Sequence, residues 1–486
     1  MPSIVKLILS FFPHQPTQGQ YEACESMARF LFDADPRSAY LLRGYAGTGK
    51  TSLVSALIQA APHLKVNTVL LAPTGRAAKV LSGYSHRQAF TIHKKIYTTL
   101  VDANGMVHTV RAKNKYSYTL FIVDEASMIN AMPEEGDSRR ALLDDLVDYV
   151  YDGNHCRLML IGDDAQLPPV GSSYSAALSE AHLTSVLGLK VHHALLSEVV
   201  RQEKLSGILH NATFLRALLS NISEQDPVPT PLFDVAQFND IVRLDGSDLE
   251  ESLFKEYDAV GTEGVVFISR SNKRANLFNQ AIRNRILLRD DEVGTGDYLM
   301  VVKNNYHWLD DDSTMSFIAN GDIVEVLSAR NFQELYGFHF VDVTLRLVDY
   351  PDERPLECKL LLEVLHSDTA SLTRDESQRL FSEVMADYAD LPTKAERLQE
   401  VRKNPYFNAL QVKFAYSLTC HKTQGGQWPV VYVDQGYLSE EMINRDFLRW
   451  LYTALTRATS RVYLLNFNPD FFHSPMPGGP DITLPS

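Results

Sequence analysis

The sequence predicts an α/β protein: two parallel-sheet units, with smaller antiparallel pieces set into them. Three observations predict it. Short apolar runs alternate with helical segments from about residue 39 to 190, and the pattern recurs near 265 and from 430 to 465. A glycine-rich stretch at 44–51 joins one such run directly to a helical segment. Residues of about 303–410 switch to period-two alternation and then to helix-start signals.

The elements follow in order. Tyr40-Leu41-Leu42, Thr68-Val69-Leu70-Leu71, Leu120-Phe121-Ile122-Val123 and Leu158-Met159-Leu160-Ile161 each end at Gly, Pro or Asp. They read as buried parallel strands whose loops at the carboxyl ends carry function. Val265-Val266-Phe267-Ile268, Val430-Val431-Tyr432-Val433 and Val462-Tyr463-Leu464-Leu465 read as strands of a second unit. The Asn320-Gly321 turn is followed by alternating apolar residues, and 341–348 alternate again, which predicts a small antiparallel barrel or sheet. Thr373 with Glu376, and Thr393 with Glu396, fit the capping-box pattern with Pro392 between them, so a helical hairpin is predicted there.

Bulk properties bound the rest. At about 100–200 residues per domain, 486 residues allow about three or four domains. A formal net charge of −14 argues against a passive nucleic-acid coat protein but allows a local basic track. Cys24, Cys156, Cys358 and Cys420 are scattered, which suggests neither a zinc site nor a disulfide framework. The apolar stretch Val5-Lys6-Leu7-Ile8-Leu9 falls short of the about 20 residues a spanning helix needs, and no small-residue cleavage site follows. The expectation is a cytoplasmic protein that does not engage a membrane.

Gly44-Tyr45-Ala46-Gly47-Thr48-Gly49-Lys50-Thr51 matches G-x-x-x-x-G-K-[ST] between a predicted strand and a helix at 52–60. Its glycines let backbone N–H groups converge on phosphate oxygens at the positive end of a helix. Lys50 is placed to reach the β and γ phosphates of ATP, and Thr51 to ligate Mg²⁺. Asp124-Glu125 closes an apolar strand. Asp124 is expected to hold Mg²⁺, and Glu125 to act as general base on the attacking water. Gln166, in the loop at 162–171, is expected to sense the γ-phosphate. Pro73-Thr74-Gly75-Arg76 caps a strand and offers N–H and hydroxyl donors to a nucleic-acid phosphate. Two alternating segments around Asn104-Gly105, within 98–110, predict a β-hairpin. Trp428 is read either as a base-stacking platform or as core.

In order and spacing, these pieces resemble superfamily 1 helicases. Residues 72–78 resemble motif Ia, 196–202 motif IV, 419–425 motif V and 452–458 motif VI. The pattern is most similar to the 5′→3′ branch of RecD-like, Pif and phage Dda helicases, over about residues 14–200, 262–326 and 411–466. The resemblance implies that Gln20 reads adenine, although Gln18 or Gln15 also fits. It implies that Arg201 and Arg457 reach the γ-phosphate from the second unit. It implies strand contacts from Thr91 and His93, from Ser269, Arg270 and Asn272, and from Thr419, His421 and Lys422. At the hairpin it implies a duplex-splitting pin with Asn104, Met106 and Val107 near its tip.

The expected architecture is therefore two RecA-like P-loop NTPase domains. Residues 1–190 form the first, with the hairpin at 97–115 inserted. Residues 191–305 and 411–486 form the second. An SH3-like barrel carrying the helical hairpin occupies 306–410. The expected function is an ATP-dependent DNA helicase that translocates 5′→3′ on single-stranded DNA and opens duplex junctions, alongside replication, repair or recombination proteins. The rival readings are a strand translocase that displaces proteins, an RNA helicase, and a non-catalytic subunit of a nuclease complex.

Overall fold

The computed structural model describes residues 2–101, 107–133, 140–199, 206–222, 227–309, 317–350 and 353–472. Arg201, Asn104 and Met106 lie outside these residues, as does the side chain of Val107.

The first sheet has six strands, in the order Ala89–Thr91, Asn67–Ala72, Thr119–Val123, Arg157–Gly162, Ser38–Gly44, Lys190–Leu196, with every neighbouring pair parallel. Side chains alternate between its faces, as strand geometry requires. Tyr40, Leu42, Ile122, Met159 and Ile161 pack with the helices Gln18–Leu31 and Lys50–Ala60 on one face. Ala39, Leu41, Phe121, Val123, Leu158 and Leu160 pack with the helix Leu142–Tyr151 on the other. The N-terminal apolar stretch is the helix Pro2–Ser10, which buries Val5 and Ile8 in the first of these cores. Among the described residues, no helix is long and apolar enough to cross a membrane.

The second sheet is also parallel, in the order Ser417–Thr419, Val265–Ser269, Trp428–Asp434, Ala458–Leu465, Ile241–Leu244. One face packs on the helices Gly207–Asn221 and Arg445–Leu455. On the other, Phe267 and Tyr463 stack on the two sides of Tyr432 at 4.5 and 4.6 Å between centroids.

Tyr298–Val301, Ile323–Leu335, Phe338–Leu347, Leu356–Leu361 and Leu410–Phe414 close a five-stranded barrel. Its long hairpin turns at Tyr336 and Gly337, both with positive φ, the conformation that two-residue hairpin loops require. Barrel residues Leu299, Val324 and Val412 share a core with Phe267, Tyr432 and Leu465, so the barrel is rooted in the second sheet. Between its last two strands stand the helices Arg374–Ala386 and Lys394–Lys403, each opened by the expected capping box.

The strands run past the expected seams. Lys190–Leu196 belongs to the first sheet, although its half-exposed His192 and His193 hide it from an apolar search. Tyr298–Val301 and Leu410–Phe414 belong to the barrel, because they pair with each other and close it.

The barrel also touches the first sheet's helices. Asp322 lies where a Cβ on Gly75 would fall, 2.3 Å from its Oδ1. Lys79 donates to the Val348 carbonyl at 3.0 Å and pairs with Asp349 at 3.3 Å.

Candidate nucleotide cleft and nucleic-acid channel

Strand register gathers the chemistry at one sheet edge. Gly44 stands opposite Leu196, and Arg43 opposite Gly162; Val123 stands opposite Leu160. Parallel strands put all their carboxyl ends on one side, so the loops after Gly44, Val123 and Gly162 emerge together.

The loop after Gly44 turns through Gly47 and Gly49 at φ 73° and 77°. Gly49 caps the helix Lys50–Ala60 without a side-chain acceptor, which leaves the first-turn N–H groups for an anion. Gly44 itself has no room for a side chain, since a Cβ would sit 2.8 Å from Lys50 Cγ. Lys50 Nζ donates to the carbonyls of Gly44 at 2.5 Å and Tyr45 at 2.9 Å, which fixes the ammonium over the loop. Thr48 is buried, and its hydroxyl donates to the Tyr45 carbonyl. Ala46 and Gly47 are half-buried, and Thr51 is exposed at the helix start.

Gln20 reaches this loop from the helix Gln18–Leu31. It donates to the Thr48 carbonyl at 3.0 Å while its own carbonyl accepts from Thr17 N–H. Its amide thus braces the loop.

Three carboxylates converge below the loop, Asp163 buried and Asp124 and Glu125 half-buried. Asp124 accepts from the Tyr84 hydroxyl at 2.8 Å and from Glu125 N–H at 2.9 Å. Burial raises its pKa, and Tyr84, that N–H and Lys50 oppose the rise. Burial also raises the pKa of Glu125, with Asp124 and Asp163 adding to the rise, while Arg457 and Lys50 oppose it. Glu125 adopts a left-handed backbone at φ 51°, a conformation costly for a non-glycine residue. Asp163 is the third carboxylate; burial raises its pKa and Lys50 is the largest opposing influence. A general base benefits from a carboxyl pushed toward neutral pH. For Mg²⁺ the donor set fits: hard oxygens from Asp124 and Thr51, the one or two protein ligands this ion takes beside nucleotide phosphates and water. Among the described residues no cluster of three or more His, Cys, Asp or Glu forms a metal cage.

The second sheet seals the cleft with one face of the helix Arg445–Leu455 and the turn after it. Arg449 donates to the Ser173 carbonyl at 2.7 Å, and the Thr453 hydroxyl accepts from Leu167 N–H at 2.9 Å. Gln424 donates to the Leu167 carbonyl at 2.7 Å, so the residue beside Gln166 is held at both its N–H and its C=O. Gln166 is buried, and its Oε1 accepts no hydrogen bond. Arg457 is buried and donates to the carbonyls of Thr453 and Gly426, with its charge felt at Glu125.

On the other side of the seam runs a cavity of about 750 Å³. Pro73, Thr74, Thr91 and His93 line it from the first sheet, and His421 and Lys422 from the second. Lys422 is half-buried, and burial together with the nearby Lys413 lowers its pKa to about 8. Burial also lowers His421. Thr74 caps the helix Gly75–Ser85, and Thr91 caps Ile92–Ile96.

Two family descriptions match the chain in the order of its two sheets: an AAA domain over residues 15–217, and a UvrD-like helicase C-terminal domain over 414–465. Together these two matches support a superfamily 1 helicase. The same matches, with the RecD2 relative below, support an ATP-hydrolysing helicase. An uncharacterised protein of Acanthamoeba polyphaga mimivirus is 23% identical over 87% of this chain and 94% of its own. The ATP-dependent RecD2 DNA helicase of Deinococcus radiodurans is 25% identical over 92% of this chain, which spans 50% of that helicase. A Bacteroides Pif1 helicase solved with ADP-AlF3 and ssDNA is 14% identical, with 95% of each chain covered and a TM-score of 0.47.

Not every residue expected on the helicase's strand track faces the channel. Ser269 is fully buried, with its hydroxyl against that of Ser417, because it ends a central strand. Gly75 is covered by Asp322, so its missing side chain admits the barrel rather than a phosphate. Arg270 turns away, over the Phe447 ring and onto the Tyr437 carbonyl. Asn272 and Thr419 stand at the starts of the helices Asn272–Ala281 and Cys420–Thr423, off the cavity wall. Arg76 lines the cavity, but its guanidinium lies 3.7 Å from the Trp428 ring centroid, and burial lowers its pKa. That contact answers the question left by Trp428, which is 4% exposed and packed under an arginine of the opposite unit.

The helicase also has site residues that the sequence did not single out. Tyr84 orients Asp124 from a helix whose pattern looks like an ordinary surface. Arg216 lies over the Tyr45 ring at 4.2 Å. Lys303, Tyr306 and Phe317 bring the barrel to the channel wall, the two rings 5.0 Å apart. A lone lysine and two separated aromatics in a loop carry no sequence signal.

Proposed function

We propose that this helicase couples ATP hydrolysis with Mg²⁺ to 5′→3′ movement along single-stranded DNA and so opens duplexes. Lys50 and the loop N–H groups bind the phosphates; Asp124 and Thr51 hold the ion, and Glu125 activates water. Arg457, with Arg201, neutralises charge that develops in the transition state. The direction rests on likeness to the 5′→3′ branch alone. One observation carries the reading: a single helix face, Arg449 to Thr453 and on to Arg457, ties the cleft to the unit that also bears His421 and Lys422 on the channel. Closing on nucleotide therefore moves channel residues of one unit against those of the other.

Pin action is assigned to the hairpin Tyr97–Val101 and Val107–Arg111, whose strands pair from Tyr97–Arg111 out to Val101–Val107. Reducing conditions such as the cytoplasm suit its four free, buried thiols. Replication and repair complexes are the setting proposed from the relatives' class. The test pairs DNA- and RNA-stimulated ATPase with unwinding of 5′-tailed and 3′-tailed duplexes. The reading requires DNA stimulation and a 5′ tail; unwinding that depends on a 3′ tail overturns the direction, and stimulation by RNA alone overturns the substrate.

A further inference from the structure

The second unit brings a hydroxyl to the phosphate-binding loop. Tyr452, on the helix Arg445–Leu455, is 1% exposed, and both hydrogen bonds of its hydroxyl go to the opposite unit. It accepts from Ala46 N–H at 2.9 Å and donates to Asp163 Oδ2 at 2.5 Å. The other oxygen of Asp163 accepts from Ala165 N–H at 3.0 Å, one residue before Gln166. A single phenol thus joins the glycine loop to the root of the loop that carries Gln166.

Asp163 is a buried carboxylate whose charge must be compensated. Lys50 and Tyr452 are the two side chains that favour its ionised form. Lys50 has three claims on it from carboxylates, because it also acts on Asp124 and Glu125. Removing the phenol leaves Asp163 with the Ala165 N–H and shifts the lost share of its demand onto that lysine or onto a proton. Neither change leaves Lys50 as ready to serve a nucleotide phosphate.

We propose that Tyr452 is a positioning residue for ATP hydrolysis: from across the cleft it holds Asp163 and Ala46, so that Lys50 and the glycine loop keep their hydrolytic arrangement only while the second unit is seated. The proposal rests on the ATP reading above. Tyr452 touches no substrate in this scheme. Its effect falls on turnover, because the seated state is the one that hydrolyses, and not on the binding of nucleotide by the first unit.

The experiment is a double-mutant cycle in the full chain with Tyr452→Phe and Asp163→Asn, read by steady-state ATPase with saturating oligo-DNA. Tyr452→Phe is expected to lower kcat roughly 10–100-fold, the range for one hydrogen bond to a charged group, with KM for ATP within about twofold. Asp163→Asn lowers kcat as well, and adding Tyr452→Phe to it lowers kcat no further. Additive losses, or a raised KM at unchanged kcat, overturn the proposal. Should Tyr452→Phe fail to fold, 3-fluorotyrosine at position 452 keeps the shape and sharpens the donor; kcat must then change at constant KM, and an unchanged kcat overturns the proposal. A wild-type chain without DNA-stimulated ATPase overturns the ATP reading itself, a distinct outcome.

Discussion

Lys422 gives the channel a measurable pH dependence. Its ammonium faces the cavity with a pKa of about 8, against an ordinary value of 10.5, because burial and Lys413 both disfavour the charge. Lys413 spends its own protons on the carbonyls of Val364 and Ser367. His421 and Lys303 share the cavity; His421 is lowered below its usual value of 6.5 and so stays neutral above pH 7. The sign follows from which form binds: only the protonated amine attracts a phosphate. In the free protein that form is lost as pH rises through about 8, whereas a bound phosphate restores it toward 10.5. Binding therefore takes up a proton above pH 8. Linkage between those two values weakens affinity about tenfold from pH 7 to pH 9, or about 1.4 kcal/mol. The assay is fluorescence anisotropy of a labelled oligo(dA) at fixed ionic strength, with Lys422→Arg as the control, because a guanidinium does not deprotonate in this range. A flat wild-type profile, or an unchanged slope in Lys422→Arg, would refute the placement of Lys422 on the strand.

Three further outcomes are expected. Glu125→Gln removes the base and retains the shape, so nucleotide and DNA binding persist while turnover stops; near wild-type hydrolysis in a coupled ATPase assay sinks the assignment. Arg457→Ala is expected to lower kcat by roughly 10³–10⁵ with a far smaller change in nucleotide affinity, as for other arginines that meet transition-state charge. Arg201→Ala should behave alike, and normal turnover in both means that the second unit does not complete the site. Shortening 102–107 to a two-residue turn should spare DNA-stimulated ATPase and severely reduce duplex unwinding, since each base-pair step costs about 1–2 kcal/mol to separate; full-rate unwinding rules out the pin.

The convergence of the glycine loop with Asp124-Glu125 was legible because each piece is local. Residues 44–51 and Asp124-Glu125 each fit on one strand end, and parallel pairing then brings them together without further instruction. The capping boxes at Thr373 and Thr393 were legible for the same reason, since a cap involves only four neighbouring residues. What stayed hidden depends on distant partners. Nothing near Gly75 announces Asp322, some 250 residues along the chain, and nothing near Arg76 announces Trp428. Ser269 follows a strand just as Thr74 does, yet one is sealed by a neighbouring strand while the other opens on a cavity. The edge strand Ala89–Thr91 escaped because three residues carry no pattern, and Lys190–Leu196 because polar side chains on a half-exposed strand break the apolar run.

The barrel's contact with the helix Gly75–Ser85 has a kinematic consequence. The barrel shares its core with the second sheet, yet it rests on the first unit at Gly75 and is pinned there by Lys79. Among the described residues, the two units thus meet at the nucleotide seam around Tyr452 and Thr453, at Arg76 on Trp428, and at this barrel footing. Bodies joined at several patches cannot slide past one another without breaking all of them, whereas a pivot spares the patch it turns about. With the footing kept, opening the nucleotide seam swings the second unit like a door, and Arg76 on Trp428 lies among the surfaces that the swing would shear. The footing thereby favours a turn over a slide as the way the cleft would open.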